Sequence, residues 1–214
     1  MSLFTILLSG DLVRTPLVDA RVAGSRIIAA DAGMRHAETL RVVPEIWVGD
    51  FDSVPANLPA ELAAVARHSF PPEKDKTDGE LAIAEALERG ATSLLLVGAF
   101  GGVRADHAFL HLALAIRLAE QGTPTTLTSG AQEGFPLLPG RAEFDYEDDT
   151  LFSILGFSEL AGLTVEGAKW PLNSVEVPFG SSLTISNEVH GDLSVTLDSG
   201  RALLVAHPYP GLEF

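Results

Sequence analysis

Cysteine is absent from the 214 residues. The chain can therefore form no disulfide, offer no thiolate nucleophile and hold no zinc ion or cluster through sulfur. That absence fits a reducing cytoplasm. Basic residues are scarce: 14 Lys+Arg stand against 29 Asp+Glu, a formal net charge of −15. Nucleic acids and anionic membranes bind through basic footprints, so neither is an expected partner. No apolar run approaches the roughly 20 residues of a spanning helix. The opening Met1-Ser2-Leu3-Phe4-Thr5-Ile6-Leu7-Leu8 lacks a basic flank and runs into Asp11, which makes a poor secretion signal. Also missing are a Walker-type lysine loop, a His-Glu-x-x-His helix and a Gly-x-Ser-x-Gly elbow. The expectation is a soluble cytoplasmic protein that does not use those chemistries.

What is present reads as globular. Hydrophobic residues make up 46% and charged residues 20%, enough to build a core and too little charge for disorder. Short apolar runs at Leu3–Leu8, Arg26–Ala30, Glu45–Val48, Ser93–Val97 and Thr125–Thr128, with a weaker one at His68–Phe70, predict strands. Helical patterns near Met34–Leu40, Leu58–Ala66, Gly79–Arg89 and His107–Gln121 alternate with them. Thr77 with Glu80 has capping-box spacing, and Gly90 is a C-terminal stop. Alternation of this kind predicts a mostly parallel sheet flanked by helices over residues 1–130. Beyond it, Gly, Pro and acidic residues fill 130–149. Short runs at Leu151–Leu155, Leu163–Val165, Ser182–Ile185, Leu193–Leu197 and Ala202–Val205 follow, punctuated by glycines. These predict an all-β sandwich domain over 131–214.

The aspartates carry the chemistry. Asp50 and Asp52 lie two residues apart in Gly49-Asp50-Phe51-Asp52-Ser53, directly after the run Ile46-Trp47-Val48. In an extended segment both would point to one side, with Phe51 packing the other way. Two adjacent carboxylates repel unless a cation lies between them. A hard divalent ion bound through oxygen fits, and Mg²⁺ brings phosphates as further ligands. Asp31 follows another predicted strand, Asp75 and Asp78 follow the weak one, and Asp106 follows Ser93–Val97 and the turn Gly98-Ala99-Phe100-Gly101-Gly102. In an open parallel sheet all of these loops leave the carboxyl edge, where ligands bind. Arg104 adds a phosphate-binding fork beside Asp106, and the glycines before it let backbone N–H groups approach an anion.

Plainer uses compete. Asp31 also suits a turn, Thr77 a helix cap, and Asp106 a cap for the helix starting at His107. His107 and His111 are four apart, but no third ligand accompanies them for zinc. Trp170 reads by default as core of the β-domain.

Six segments resemble bacterial thiamin pyrophosphokinases. Gly49-Asp50-Phe51-Asp52-Ser53 resembles that family's central motif, and Lys74-Asp75-Lys76-Thr77-Asp78 its Lys-Asp-x-Thr-Asp helix start. Arg104-Ala105-Asp106-His107 is similar to an Arg-x-Asp-His signature after a Gly-rich turn. Asp31-Ala32-Gly33 is similar to an Asp-Gly-Gly segment. In the β-domain Gly167-Ala168-Lys169-Trp170-Pro171-Leu172 resembles Gly-Leu-Lys-Tyr-Pro-Leu, and Ser186-Asn187-Glu188 matches a Ser-Asn-Glu segment. Ala32, Val103 and Trp170 depart from the family's Gly, Gly and Tyr.

The resemblance implies an α/β domain joined to a β-sandwich, a homodimer with active sites at the subunit interface, and transfer of pyrophosphate from ATP to thiamin, giving thiamin diphosphate and AMP. It implies Asp50, Asp52 and Asp78 as Mg²⁺ ligands. Asp106 would complete the metal shell or orient the thiamin hydroxyl. Asp31, Lys76, Thr77, Arg104 and His107 would serve the nucleotide, and Trp170, Ser186 and Asn187 the thiamin pocket. A related pyrophosphokinase acting on a pterin alcohol, and a non-catalytic nucleotide or thiamin sensor, are the alternatives. The Ser-Asn-Glu match speaks against the first, and the full set of carboxylates against the second.

Overall fold

A computed structural model describes residues 2–51, 58–71, 75–209 and 211. They divide into two compact units, one from residues 1–109 with 127–130, the other from 110–126 with 131–213. No helix among the described residues is long and apolar enough to cross a membrane.

In the first unit, β1 (Leu3–Leu7), β2 (Arg26–Ala30), β3 (Ile46–Gly49), β4 (Arg67–Ser69) and β5 (Ser93–Val97) form a parallel sheet in the order β5-β1-β2-β3-β4. β6 (Thr125–Thr128) lies beside β5. The chain thus steps outward from β1 to β4, then returns to the other side of β1 to lay down β5. The strand order therefore reverses between β1 and β5, the kind of position at whose carboxyl end open α/β sheets bind ligands. Near-continuous apolar runs are what a strand covered on both faces requires, and β1, β2 and β5 are each buried over their last four residues.

The helices are α1 (Pro16–Val22), α2 (Arg35–Leu40), α3 (Ala60–Ala63), α4 (Asp78–Glu88) and α5 (Ala105–Glu120). A 3-10 turn, Asp31–Met34, leads into α2. In α4 the buried residues Gly79, Ala82, Ile83 and Ala86 recur at helical spacing, and this stripe packs on β1, β2 and β3. Its start is the predicted capping box. The Thr77 hydroxyl accepts the Glu80 N–H at 3.3 Å, and the Glu80 carboxylate accepts the Thr77 N–H at 3.2 Å. The first unit's core joins Leu7, Val18, Met34, Leu40, Trp47, Leu62 and Val97.

The second unit is antiparallel. β7 (Glu133–Leu137), β13 (Ala202–His207) and β9 (Leu151–Gly156) pair in that order, and β9 takes the first residues of β12 (Asn187–Leu197) as its other neighbour. The far end of β12 pairs with β8 (Gly140–Phe144) and with β10 (Leu160–Ala168), which pairs with β11 (Leu172–Val177). β12 is shared by both arrays, and Phe152, Leu163, Val189, Val195 and Leu204 pack together in the core.

Three expectations need correction. Residues 130–149 contain two strands, β7 and β8; Pro136 and Gly134 disguise the first, which pairs along its full length with β13. Ser182–Ile185 is a turn, not a strand, with Leu183 and Ile185 exposed. A seven-residue helix, α1, precedes β2, started by the Thr15 hydroxyl on the Val18 N–H and by Pro16 at its first position.

Candidate functional site

Asp31 and Asp50 stand at the carboxyl ends of neighbouring strands, since Ala30 pairs with Val48 in the β2–β3 ladder. Gly49 lets them approach: a Cβ there would lie 3.3 Å from the Asp31 Cα. Trp47, 1% exposed on β3, organises both loops. Its indole N–H donates to the Asp31 carbonyl at 2.8 Å. Its ring meets Phe51 edge-on, with centroids 5.0 Å apart. The Arg67 guanidinium from β4 covers both rings, a cation–π arrangement. Asp31 takes the left-handed conformation (φ +42°), which Asp tolerates better than most residues.

Phe51 is also left-handed (φ +61°). The segment after Asp50 is therefore not extended, and the i, i+2 argument for a shared direction of Asp50 and Asp52 does not hold there. Phe51 does pack inward, against the first unit's core. Asp52, Ser53 and Lys74 lie outside the described residues. Ala32 and Val103 have no left-handed backbone, so their departures from glycine carry no conformational strain.

Asp78 is the first residue of α4 and is half-buried, with Thr77 before it as cap; Asp75 and Lys76 are exposed. After β5 comes the turn with Gly98, Gly101 and Gly102, all left-handed. Arg104 does offer a fork, but Asp106 fills it: Nε donates to Oδ1 at 3.0 Å and one terminal nitrogen to Oδ2 at 2.7 Å. These hydrogen bonds hold the Asp106 carboxyl down at about 2. The anion that the glycines admit is likewise internal, because the Gly102 N–H donates to the Asp11 carboxylate at 2.6 Å. His107, half-buried, follows in the first turn of α5.

Sequence reasoning missed Asp11, Arg35 and His36, which meet at the segment that follows β1. The Arg35 guanidinium donates to the Ser9 and Gly10 carbonyls at 2.7 and 2.9 Å. His36 Nε2 lies 2.9 Å from the Gly10 carbonyl; that partner accepts only, so Nε2 carries the proton. Burial lowers the His36 pKa to about 4 against the opposing pull of that bond. The signal in the sequence was Ser9-Gly10-Asp11 directly after a strand, the same placement that singled out Asp31 and Asp50.

In the second unit Trp170 is 54% exposed and so is not core. The Lys169 ammonium lies 4.8 Å from its ring centroid and pairs with Glu188 at 2.8 Å. Asn187 is buried and its amide is committed. Oδ1 accepts the Trp170 and Glu188 N–H groups at 3.2 and 2.9 Å, and Nδ2 donates to the Trp170 carbonyl at 2.8 Å. Ser186, left-handed and exposed, is anchored by its N–H on the Ser153 hydroxyl.

Among the described residues no three Asp, Glu or His side chains cluster as a metal cage. Asp50 and Asp78 nonetheless supply the donors Mg²⁺ prefers, because that ion is held through one or two carboxylates plus substrate phosphates rather than by an all-protein cage.

Comparison with known proteins agrees in both units. Residues 22–127 match the model of the thiamin pyrophosphokinase catalytic domain, and residues 143–202 that of the thiamin pyrophosphokinase vitamin B1 binding domain. The chain is 34% identical over 185 residues to the thiamine pyrophosphokinase of Bacillus subtilis (strain 168), covering 83% of this chain and 85% of that one. A crystal structure of thiamine pyrophosphokinase from Bacillus subtilis superposes with a TM-score of 0.83 at 26% identity, over 97% of this chain and 100% of its own. One from Geobacillus thermodenitrificans gives 0.76 at 27%, over 97% of each. With both halves matched in order and the fold shared end to end, this chain belongs to the thiamin pyrophosphokinase family.

Proposed function

We propose that the chain transfers pyrophosphate from ATP to thiamin, giving thiamin diphosphate and AMP. What supports this is the family to which the chain belongs together with Asp31 and Asp50 ending neighbouring strands, joined through Trp47 and the close approach at Gly49. In the reaction the thiamin hydroxyl oxygen bonds to the β-phosphorus of ATP. The bond from that phosphorus to the α-phosphate oxygen breaks, AMP leaves with the electron pair, and the hydroxyl proton is released.

Asp50, Asp52 and Asp78 are the ligands proposed for Mg²⁺, which when bound supplies positive charge to the phosphates. Lys76 and Arg104 hold phosphate oxygens. The exposed Arg104–Asp106 pair can be exchanged readily, since ion pairs in water are weak, so Arg104 trades one anion for another. Asp106, held ionised through the neutral range, accepts a hydrogen bond from the thiamin hydroxyl and aligns it rather than storing its proton. Asp31, Thr77 and His107 complete the nucleotide side.

Trp170 offers an exposed face to the cationic ring. Asn187 acts on the pocket through Trp170, whose backbone N–H and carbonyl it holds, and Ser186 borders it. We further propose a cytoplasmic homodimer; Phe179, Leu183 and Ile185, exposed within seven residues of one another, support an interface there.

The test mixes protein, ATP, Mg²⁺ and thiamin and follows both products. The reading requires AMP and thiamin diphosphate in equal amounts. AMP without thiamin, or with a pterin alcohol in its place, contradicts it.

A further inference from the structure

Asp11 belongs to none of the roles assigned above, yet it supports the turn that carries Arg104. After β1 the chain runs through Ser9, Gly10 and Asp11 alongside the turn 98–102 and bonds to it at three points. The Gly10 N–H donates to the Gly98 carbonyl at 2.9 Å and the Asp11 N–H to the Phe100 carbonyl at 2.9 Å. The Gly102 N–H donates to the Asp11 carboxylate at 2.6 Å.

The fit allows little else. A Cβ on Gly101 would collide with the Asp11 carboxylate, and one on Gly10 would collide with the carbonyl oxygens of Gly98 and Phe100. α2 fixes the same strap, through Arg35 on the Ser9 and Gly10 carbonyls and His36 on the Gly10 carbonyl, and the His36 ring also lies against Gly98. The strap is thus tied to α2 and presses its carboxylate into the turn. A charge-assisted bond to a backbone N–H is among the stronger hydrogen bonds available, and it falls where the left-handed glycines leave the turn least constrained by its own side chains.

We infer that Asp11 is a positioning residue: its carboxylate fixes the Gly98–Arg104 turn in the shape that presents Arg104 to the nucleotide phosphates. The inference rests on the pyrophosphokinase reading for the identity of the ligand, and on the strap alone for the bracing. Asp11 itself touches no substrate in this account.

The test compares wild type with Asp11→Ala, Asp11→Asn and Gly101→Ala, following amide hydrogen exchange of segment 98–104 and steady-state kinetics. Asp11→Ala should speed exchange in that segment and raise the KM for Mg-ATP by about tenfold, with kcat and the thiamin KM within about twofold. Asp11→Asn keeps an acceptor oxygen and should fall between; it also stands in if the alanine variant fails to fold. Gly101→Ala evicts the carboxylate and adds left-handed strain, so its effect should be at least that of Asp11→Ala, and the double variant should be no worse than Gly101→Ala alone, because the shared contact is already broken. Unchanged exchange, a loss confined to kcat, or additive effects would each overturn the inference. If wild type makes no AMP, the activity reading fails separately. The bracing is then judged by exchange and by ATP affinity from calorimetry, where faster exchange with unchanged affinity overturns it.

Discussion

Trp47→Phe probes whether the acidic loops are held by their common post. The substitution keeps an aromatic ring on β3 but deletes the indole N–H, so the Asp31 carbonyl loses its 2.8 Å donor. Leaving that acceptor unsatisfied costs about 1–2 kcal/mol. The smaller ring in a site 1% exposed leaves a void worth about 1–2 kcal/mol more. The sum is about 3 kcal/mol, a fall in Tm of roughly 6–12 °C for a chain of this size. Thermal melts followed by circular dichroism measure it. The kinetic consequence is specific: with Asp31 and the Asp50–Phe51 segment released, the KM for Mg-ATP should rise while that for thiamin stays put. A Tm within about 2 °C of wild type, or equal changes in both KM values, would refute the reasoning, since a loss well under 1 kcal/mol means Trp47 fastens neither loop.

Two further outcomes are expected. Asn187→Ala deletes three hydrogen bonds from a buried amide, which should lower stability by about 2 kcal/mol in denaturant titrations and raise the thiamin KM more than the ATP KM. His36, with its pKa lowered to about 4 by burial, binds its proton more readily in the unfolded chain. Its contribution is therefore full above about pH 6.5 and is lost as pH falls toward 4, by about 3 kcal/mol in all; His36→Gln should flatten that part of a stability–pH profile.

The parallel sheet was legible because buried parallel strands announce themselves as apolar runs, and β1, β2, β3 and β5 do so. The α4 cap was legible because Thr77 and Glu80 interact locally, with no help from distant chain. Residues 133–144 were not. Glu133, Gly134 and Pro136 read as loop, and only pairing with β13 and β12 makes strands of them. Ser182–Ile185 erred in the other direction, having the composition of a strand but touching β9 only through Thr184, bonded to Ile154, without forming a ladder. The site divided along the same line. Loop position after a strand is written in the sequence, and Asp31 and Asp50 do follow β2 and β3 directly. Which anion a glycine turn admits is a tertiary fact: Asp11 had the placement after a strand, but its bond to Gly102, 91 residues away, is not written in spacing. Asn187 was singled out by resemblance, but its bonds to the Trp170 backbone, in the bend between β10 and β11, could be seen only in the folded chain.

One assay bears on the core of the account: AMP released per minute, with saturating thiamin and Mg²⁺, by wild type and by Asp50→Asn matched in melting temperature. Exchanging one carboxylate oxygen for an amide nitrogen should cut turnover by roughly a hundredfold or more, partly recoverable at high Mg²⁺. Turnover within about twofold of wild type would mean that this aspartate grips no metal-bound phosphate.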